Sequence, residues 1–171
     1  GKTLSFVLPI VQKIINEGSY GKIHTVIITP IKALTADQFE QITRIAEPTP
    51  VRVGMINGDV SREDRSKILA KPPEILLTNF DFIYFHLKNS TYLAKLFQNF
   101  KILVVDEIHY YSGIHGSNIH HIIASLKRTN PNLQLVGASA TIDNLKQFSQ
   151  KLFDSSDIDV ISSNQKNGIK K

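Results

Sequence analysis

The feature that most constrains the fold of this chain is a regular alternation between two kinds of segment. Short apolar runs rich in β-branched residues predict strands over 24–29, 51–56, 74–78, 102–106 and 133–138, and a weaker run predicts a sixth over 159–161. Between them, apolar residues recur at helical spacing, which predicts helices over 3–16, 31–46, 61–70, 79–87 with 91–100, 118–128 and 143–153. Strands that alternate with helices indicate an α/β fold with a mostly parallel sheet.

The length and composition fit one domain. The chain has 171 residues, of which 42% are hydrophobic, and this supplies one buried core but not comfortably two. The absence of cysteine excludes disulfide frameworks and cysteine-ligated zinc, and no run approaches the ~20 apolar residues of a membrane-spanning helix. We therefore expect a cytoplasmic protein without a membrane partner, a domain over 1–161 and a polar, disordered tail over 162–171.

The net charge of +5 is compatible with a polyanionic partner. The basic residues are spread along the chain, however, so charge alone argues only weakly for nucleic acid.

A parallel sheet predicts where any chemistry should lie. The loops that leave the carboxyl ends of parallel strands gather at one edge of the sheet, where such folds bind ligands. We therefore expect functional residues in the loops after Thr29, Ile56, Thr78, Asp106 and Ala138.

The first three residues have the form of the end of a phosphate-binding loop, G-x-x-x-x-G-K-[ST]. In such a loop a glycine, here Gly1, allows close approach of the backbone. A lysine, here Lys2, reaches the β- and γ-phosphates, and a hydroxyl, here Thr3, faces Mg²⁺ at a helix start. The tripeptide alone also fits a plain helix start, with Thr3 as N-cap and Lys2 in solvent.

Two adjacent carboxylates follow the apolar run that precedes Asp106. Asp106 would hold Mg²⁺ through its water shell, and Glu107 would orient and polarise an attacking water. The alternative is a solvated acidic turn after a buried strand.

Taken together, six short segments resemble the motifs of superfamily 2 DExH/DEAD-box helicases, in that family's order. Gly1-Lys2-Thr3 resembles the tail of its phosphate loop, Thr29-Pro30-Ile31-Lys32-Ala33-Leu34 with Asp37 and Gln38 its motif Ia, Gly58-Asp59 with Arg62 and Arg65 its Gly-Asp motif, Thr78-Asn79 its motif Ib, Asp106-Glu107-Ile108-His109 its DExH box, and Ser139-Ala140-Thr141 its SAT motif. The stretch from Asp106 to Ser117 further resembles the Lhr-like and Hrq-like DNA helicases.

The resemblance implies a three-layer RecA-like P-loop NTPase domain, the first of two motor domains, beginning at the tail of the phosphate loop. It implies ATP and Mg²⁺ as ligands, DNA or RNA as partner with DNA favoured, and a second RecA-like domain of the same polypeptide. The residues matched are Lys2, Asp106 and Glu107 for catalysis; Gly1, Lys2, Thr3, Asp106 and Glu107 for nucleotide binding; Thr3 and Asp106 for the metal; His109, Ser139, Ala140 and Thr141 for coupling; and Thr29, Pro30, Lys32, Gly58, Asp59, Thr78 and Asn79 for nucleic acid.

The residues themselves also favour a site that binds the sugar-phosphate backbone of a nucleic acid. The pairs Thr29-Pro30 and Thr78-Asn79 each combine a strand end with a capping residue, so free N–H groups at the following helix starts would face phosphates without reading bases. Ordinary helix capping is the alternative here, as it is for Ser139 and Thr141.

Two other groups of rings have competing interpretations. The aromatic residues Phe80, Phe82, Tyr84 and Phe85 would either stack on bases or pack the helix, and their spacing favours packing. A metal site at His115, His120 and His121 is disfavoured, because neither cysteine nor a regular two-histidine spacing accompanies them.

The sequence thus predicts an ATP-dependent helicase or translocase motor domain that hydrolyses ATP together with an absent second domain and is inactive in isolation. Two alternatives are a nucleic-acid-binding module without hydrolysis, which the intact Asp106 and Glu107 argue against, and a subunit that translocates on duplex DNA without unwinding it. A transporter ATPase is disfavoured because no Leu-Ser-Gly-Gly-Gln signature occurs.

Overall fold

The computed structural model describes residues 2–89, 91–140 and 144–161, with the backbone alone at 32, 33, 114 and 115. The described residues form five strands and six α-helices. The strands are β1 (Thr25–Ile28), β2 (Val53–Met55), β3 (Ile75–Thr78), β4 (Ile102–Val105) and β5 (Gln134–Gly137). The helices are α1 (Lys2–Glu17), α2 (Lys32–Ala46), α3 (Arg62–Ala70), α4 (Phe80–Lys88), α5 (Gly113–Thr129) and α6 (Leu145–Phe153), with 3-10 helices at Tyr92–Phe97 and Ile108–Tyr110.

All five strands pair in parallel, in the order β2-β3-β1-β4-β5, which confirms the predicted α/β class. The central strands β3, β1 and β4 are buried along their whole length. In β4, Leu103 and Val105 belong to one apolar cluster, and Ile102 and Val104 belong to the other. Continuous apolar runs of this kind are typical of strands that are covered on both faces.

Helices cover both faces of the sheet. On one face α1 packs with Phe6, Val7, Ile10, Val11 and Ile14 against the sheet. On the other face the buried side chains of α4, of the first 3-10 helix, of α5 and of α6 join one larger cluster. The result is a three-layer arrangement with the sheet in the middle.

Two predicted elements are wrong. Residues 159–161 form no strand; Val160 and Ile161 are 45% and 97% exposed, and without a burying face a short apolar run gains nothing from pairing. The predicted helix over 91–100 is a 3-10 helix over Tyr92–Phe97, and the chain then turns at Asn99, where φ is 62°, to enter β4.

Helix α5 begins at Gly113, five residues before the predicted start at 118. The sequence misled here because Gly113 and Gly116 read as helix breakers. At Gly116 the glycine instead permits close packing, since a Cβ there would lie 2.6 Å from the carbonyl oxygen of Tyr111.

The predicted tail over 162–171 lies outside the described residues. Among the helices that are described, none has the length and apolar character needed to cross a membrane.

The carboxyl ends of neighbouring strands are tied together by backbone hydrogen bonds. The N–H of Asp106 donates to the carbonyl of Ile28 at 2.8 Å, and the N–H of Thr29 donates to that of Thr78 at 3.1 Å. The loops that follow β1, β3 and β4 therefore start side by side at one edge of the sheet.

Candidate functional site

The start of helix α1 meets the end of strand β4 at this edge. The ammonium nitrogen of Lys2 lies 2.6 Å from Oε1 of Glu107, although 105 positions separate the two residues. The Lys2 side chain is 46% exposed and that of Glu107 is 21% exposed. Lys2 therefore lies at the same edge of the sheet as the acidic pair, with nearly half of its side chain still exposed to solvent.

Thr3 and Asp106 are joined through helix α2. Gln38 donates its side-chain amide to Oδ2 of Asp106 at 2.7 Å, and its carbonyl oxygen accepts from the Thr3 hydroxyl at 3.4 Å. Thr3 lies inside α1 and is not its N-cap. The two residues expected to face a metal ion therefore share one bridging side chain.

Asp106 is a buried carboxylate, only 2% exposed. Burial raises the pKa of Asp106 and the neighbouring Glu107 carboxylate raises it further, while the Glu107 N–H at 2.9 Å and the charge of Lys2 lower it. The net effect is upward. Asp106 therefore occupies a place where a negative charge is costly until a cation compensates it.

Glu107 has a left-handed backbone, with φ 49° and ψ 50°. Residues other than glycine adopt this region at a cost of about 1 kcal/mol or more. Conformational strain of this kind is often found at functional turns, and Asn99, Asn144 and Asp154 of this chain share the left-handed conformation. Glu107 also starts the 3-10 helix over Ile108–Tyr110.

His109 lies between the acidic pair and the loop after β5. Its Nδ1 is 3.3 Å from Oγ of Ser139 and 3.3 Å from Oε2 of Glu107. Only the Ser139 contact has hydrogen-bond geometry, and Oε2 of Glu107 is a buried oxygen without a hydrogen-bond partner among the described residues. Rotation of this ring can therefore link Ser139 to Glu107. The capping alternative for Ser139 is not seen, because the N-cap of α6 is Asn144.

The two strand ends matched to nucleic-acid motifs differ from each other. Asn79 caps α4 as predicted, its Oδ1 accepting from the N–H of Phe82 at 2.9 Å. The capping prediction for Thr29-Pro30 is wrong, since the N-cap of α2 is Ile31, which makes no side-chain cap. The Thr29 hydroxyl instead pairs with that of Thr35.

Burial limits which of these residues a ligand can touch. The side chains of Thr29 and Thr78 are fully buried, and the Thr78 hydroxyl has no hydrogen-bond partner among the described residues. Pro30 and Asn79 line an open cleft at the same edge. Direct contact with a strand would therefore fall mainly to Pro30, since Asn79 is only 9% exposed and its Oδ1 already caps α4, and the threonines would position the loops.

The Gly58-Asp59 turn is held by Arg65 of helix α3. Nη2 of Arg65 donates to the carbonyls of Gly58 at 2.9 Å and Asn57 at 3.3 Å, and its guanidinium carbon lies 5.6 Å from the centre of the Phe82 ring. The N–H of Asp59 donates to Oδ1 of Asn57 at 2.9 Å. Arg65 therefore ties this turn to α4.

The structure does not describe every residue that the motifs matched. Gly1 and Thr141 lie outside the described residues, as does the side chain of Lys32. Ala140 is exposed beside Ser139. The structure also shows a residue whose role the sequence did not define: Gln38, whose bridging contact is invisible without the fold.

The aromatic residues of α4 divide into two sets. Phe80 and Phe82 are 5% exposed and pack in the core, as predicted. Tyr84 and Phe85 are 50% and 58% exposed, so the packing interpretation is wrong for them. Spacing alone did not separate the two sets, because nine helical residues here cover more than one face.

The residues at this edge fit a magnesium nucleotide. A buried carboxylate with a raised pKa, an orphaned carboxylate oxygen on Glu107 and a lysine ammonium 2.6 Å from that same carboxylate present oxygen ligands and a positive charge together. Magnesium takes oxygen ligands and is commonly held by one or two carboxylates with substrate phosphates.

Comparison with known proteins agrees with this geometry. The family model described as DEAD/DEAH box helicase matches residues 1–148. An uncharacterised ATP-dependent helicase of Methanocaldococcus jannaschii, MJ1574, is 36% identical in an alignment of 138 positions that covers 74% of this chain and 20% of that protein. The ATP-dependent helicase hrq1 of Schizosaccharomyces pombe is 29% identical in an alignment of 172 positions, gaps included, that covers 95% of this chain and 16% of that protein.

Among solved structures, the DUF1998 helicase MrfA bound to DNA and AMPPNP superposes with a TM-score of 0.76 and 27% identity, covering 90% of this chain and 22% of that chain. The chain therefore spans about a fifth of the length of such relatives. The RecA-like fold, the motif order and the match over residues 1–148 show that this chain belongs to the DEAD/DEAH box family of ATP-dependent helicases.

Proposed function

We propose that this chain is the first motor domain of a nucleic-acid translocase or helicase, binding ATP with Mg²⁺ and a nucleic-acid backbone at the carboxyl edge of its sheet. The observation that supports this most directly is the 2.6 Å contact between Lys2 and Glu107, next to buried Asp106. Those three groups are among the ones that phosphoryl transfer from ATP requires.

In this proposal each side chain has one task. Lys2 would exchange its carboxylate partner for the β- and γ-phosphates, and Thr3 and Asp106 would hold the metal. Magnesium, when bound, neutralises phosphate charge. Glu107, released from Lys2, orients the attacking water and accepts its proton. Gln38 fixes the carboxylate of Asp106 through its 2.7 Å hydrogen bond.

We propose that His109 reports the state of Glu107 to the loop after β5. Its ring reaches both Ser139 and Glu107 at 3.3 Å, so a change in the position of Glu107 favours one partner over the other. Ser139, Ala140 and Thr141 would carry that change onward. The proposed coupling thus depends on a residue that touches both loops.

The nucleic-acid side would use Pro30, Asn79 and the turn at Gly58. The N-terminus of α4 would attract phosphates without reading sequence, although Asn79 already caps the Phe82 N–H and the Asp81 carboxylate in the first turn opposes that attraction. DNA is the favoured partner, since the stretch from Asp106 to Ser117 resembles DNA helicases and MrfA is described bound to DNA. We expect weak, salt-sensitive and sequence-indifferent binding.

We also propose that hydrolysis needs a second RecA-like domain of the same polypeptide. Among the described residues, the side chains that hydrogen-bond or pair with Lys2, Asp106 and Glu107 from outside this trio are those of Gln38 and His109, and neither is an arginine. An arginine supplied to the transferring phosphate is worth on the order of 10³–10⁵ in rate.

Phosphate release tests the proposal on three proteins: this chain, a longer polypeptide carrying the second domain, and the longer polypeptide with Glu107→Gln. We expect little release from the chain, nucleic-acid-stimulated release from the longer protein, and loss of release with retained ATP binding in Glu107→Gln. Glu40→Gln, at a carboxylate that is 72% exposed, is the matched control. Full activity in Glu107→Gln would show that the machinery is wrongly assigned.

A further inference from the structure

A cleft of about 450 Å³ opens beside the edge that holds Pro30 and Asn79. The loop after β1, the first turns of α4, the 3-10 helix after Glu107 and helix α5 surround it. Its walls include Pro30, Asn79, Asp81, Tyr84, Tyr110 and Tyr111. We call it the tyrosine cleft.

Two of its rings are largely exposed. Tyr84 is 50% exposed and Tyr110 is 53% exposed, on two different elements that face one cleft. Lys88 lies 5.4 Å from the centre of the Tyr84 ring, and the Tyr110 ring is tilted 45° against that of His109. Exposed tyrosines grouped in this way are suited to a planar ligand, because such rings offer a large contact area and a polar tip.

The charge inside the cleft disfavours the binding of a phosphate. Asp81 is the one charged side chain among the described residues that line it, and a carboxylate repels a phosphate. The interior otherwise offers aromatic, apolar and neutral polar groups. The cleft therefore suits a neutral, planar group and not the sugar-phosphate backbone.

One polar group in the wall lacks a partner. Tyr111 is 7% exposed, and its hydroxyl makes no hydrogen bond to any described residue. That hydroxyl oxygen is also fully buried, so a base in the cleft would meet the ring of Tyr111 and not its hydroxyl.

We infer that the tyrosine cleft takes an unpaired base of a strand whose phosphates follow Pro30 and the start of α4. The inference rests on the proposed function and adds to it a base-stacking site. Tyr84 and Tyr110 provide the stacking surfaces, and the ring of Tyr111 forms part of the wall. Stacking tolerates every base, so sequence indifference is retained.

Binding of single-stranded DNA that carries 2-aminopurine tests this inference with the full chain. Stacking quenches the fluorescence of that base. The double variant Tyr84→Ala/Tyr110→Ala should lose the quenching and bind about 5- to 100-fold more weakly, the usual range for lost base stacking. Phenylalanine at both positions should retain quenching. Tyr92→Ala, at a tyrosine 56% exposed outside the cleft, is the control, with circular dichroism verifying the fold.

The outcomes separate the two proposals. Unchanged quenching and affinity in the double alanine variant would overturn the stacking site, and would leave the proposed function intact if binding remains salt-sensitive. That outcome would also be expected if the cleft served a protein segment. Failure of the wild-type chain to bind any single strand would overturn both the base site and the nucleic-acid part of the proposed function.

Discussion

The side-chain amide of Gln38 donates a 2.7 Å hydrogen bond to Oδ2 of Asp106, a residue 68 positions further along the chain. Gln38 belongs to α2, on the face of the sheet that α1 also covers, and Asp106 follows the central strand β4. The hydrogen bond thus connects a helix in one layer to a carboxylate at the sheet edge.

Replacing Gln38 by leucine should destabilise the folded chain. The buried Asp106 carboxylate would lose a donor, and hydrogen bonds to charged groups contribute about 1.5–3 kcal/mol. We expect a loss of about 1–2 kcal/mol in the free energy of unfolding, measured by urea denaturation. Gln41→Leu, an exposed position on the same helix, should change it by less than about 0.5 kcal/mol. Equal effects of the two substitutions would show that the hydrogen bond from Gln38 to Asp106 does not contribute to the free energy of unfolding.

Asp106→Asn should stabilise the chain without ligand. Because burial raises the folded-state pKa of Asp106 above its ordinary value of 3.8, the folded chain binds that proton more tightly than the unfolded chain. The contribution of Asp106 to stability is therefore lost as pH rises through 3.8 towards the raised value, and neutralisation should help at pH 7. We expect a gain on the order of 1 kcal/mol, about 2–4 °C in Tm.

The pH dependence provides the check on that gain. Below pH 3.8 Asp106 is protonated in both states, so the wild type and Asp106→Asn should converge there. Exposed Asp37→Asn should show no such gain at pH 7. A gain in Tm that persists unchanged at low pH would point to a cause other than the buried charge.

Arg65 should position the Gly58-Asp59 turn. Arg65→Met removes the donors to the carbonyls of Gly58 and Asn57, so amide hydrogen exchange across that turn should accelerate and the free energy of unfolding should fall by about 1–2 kcal/mol. Arg62→Met, at an exposed arginine on the same helix, is the control. Equal exchange rates in the two variants would refute the anchoring role.

At the opposite end of the sheet, Lys101 should affect how the free energy of unfolding depends on pH under acidic conditions. Its hydrogen bond is the largest of the contacts that lower the pKa of Glu17 to about 2, with Lys13 second and His24 adding to them. A lowered carboxylate pKa contributes stability above the unfolded value of 4.5 and loses it as pH falls towards 2. Lys101→Gln should therefore flatten the stability profile between those values.

The size of that effect should be small, below about 1 kcal/mol, because the ion pairs are partly exposed. NMR titration gives the sharper readout: the pKa of Glu17 should rise more in Lys101→Gln than in Lys13→Gln. The reverse order would mean that the neighbouring lysine on α1 dominates. Lys13 and Lys101 are similarly exposed, at 46% and 51%, so the comparison is matched.

The sequence predicted the order of elements well because buried parallel strands require apolar runs and helices require a different period. It predicted less well wherever two causes compete. Gly116 reads as a breaker, yet it allows α5 to approach the Tyr111 carbonyl. The run ending at Ile161 reads as a strand but meets no burying face.

At the site, the sequence indicated candidate functional residues but not the contacts between them. Motif order singled out Lys2, Asp106 and Glu107 as candidates, whereas the bridge through Gln38 depends on how α2 packs beside α1. The exposure of Tyr84 and Tyr110 was equally hidden. A helical period predicts that some face is buried, but the packing of neighbouring elements decides which rings remain outside.

The left-handed backbone at Glu107 has a consequence for anyone who would transplant this acidic pair into another sheet. In an extended strand, consecutive side chains point to opposite faces, so an Asp-Glu pair copied onto a regular strand would send its carboxylates apart. Here φ of 49° at Glu107 ends that alternation, and both carboxylates serve one edge. A transplant would therefore have to include the end of the strand together with the turn that follows it. Transferring the two acidic residues alone would reproduce the residue types of the site but not its geometry.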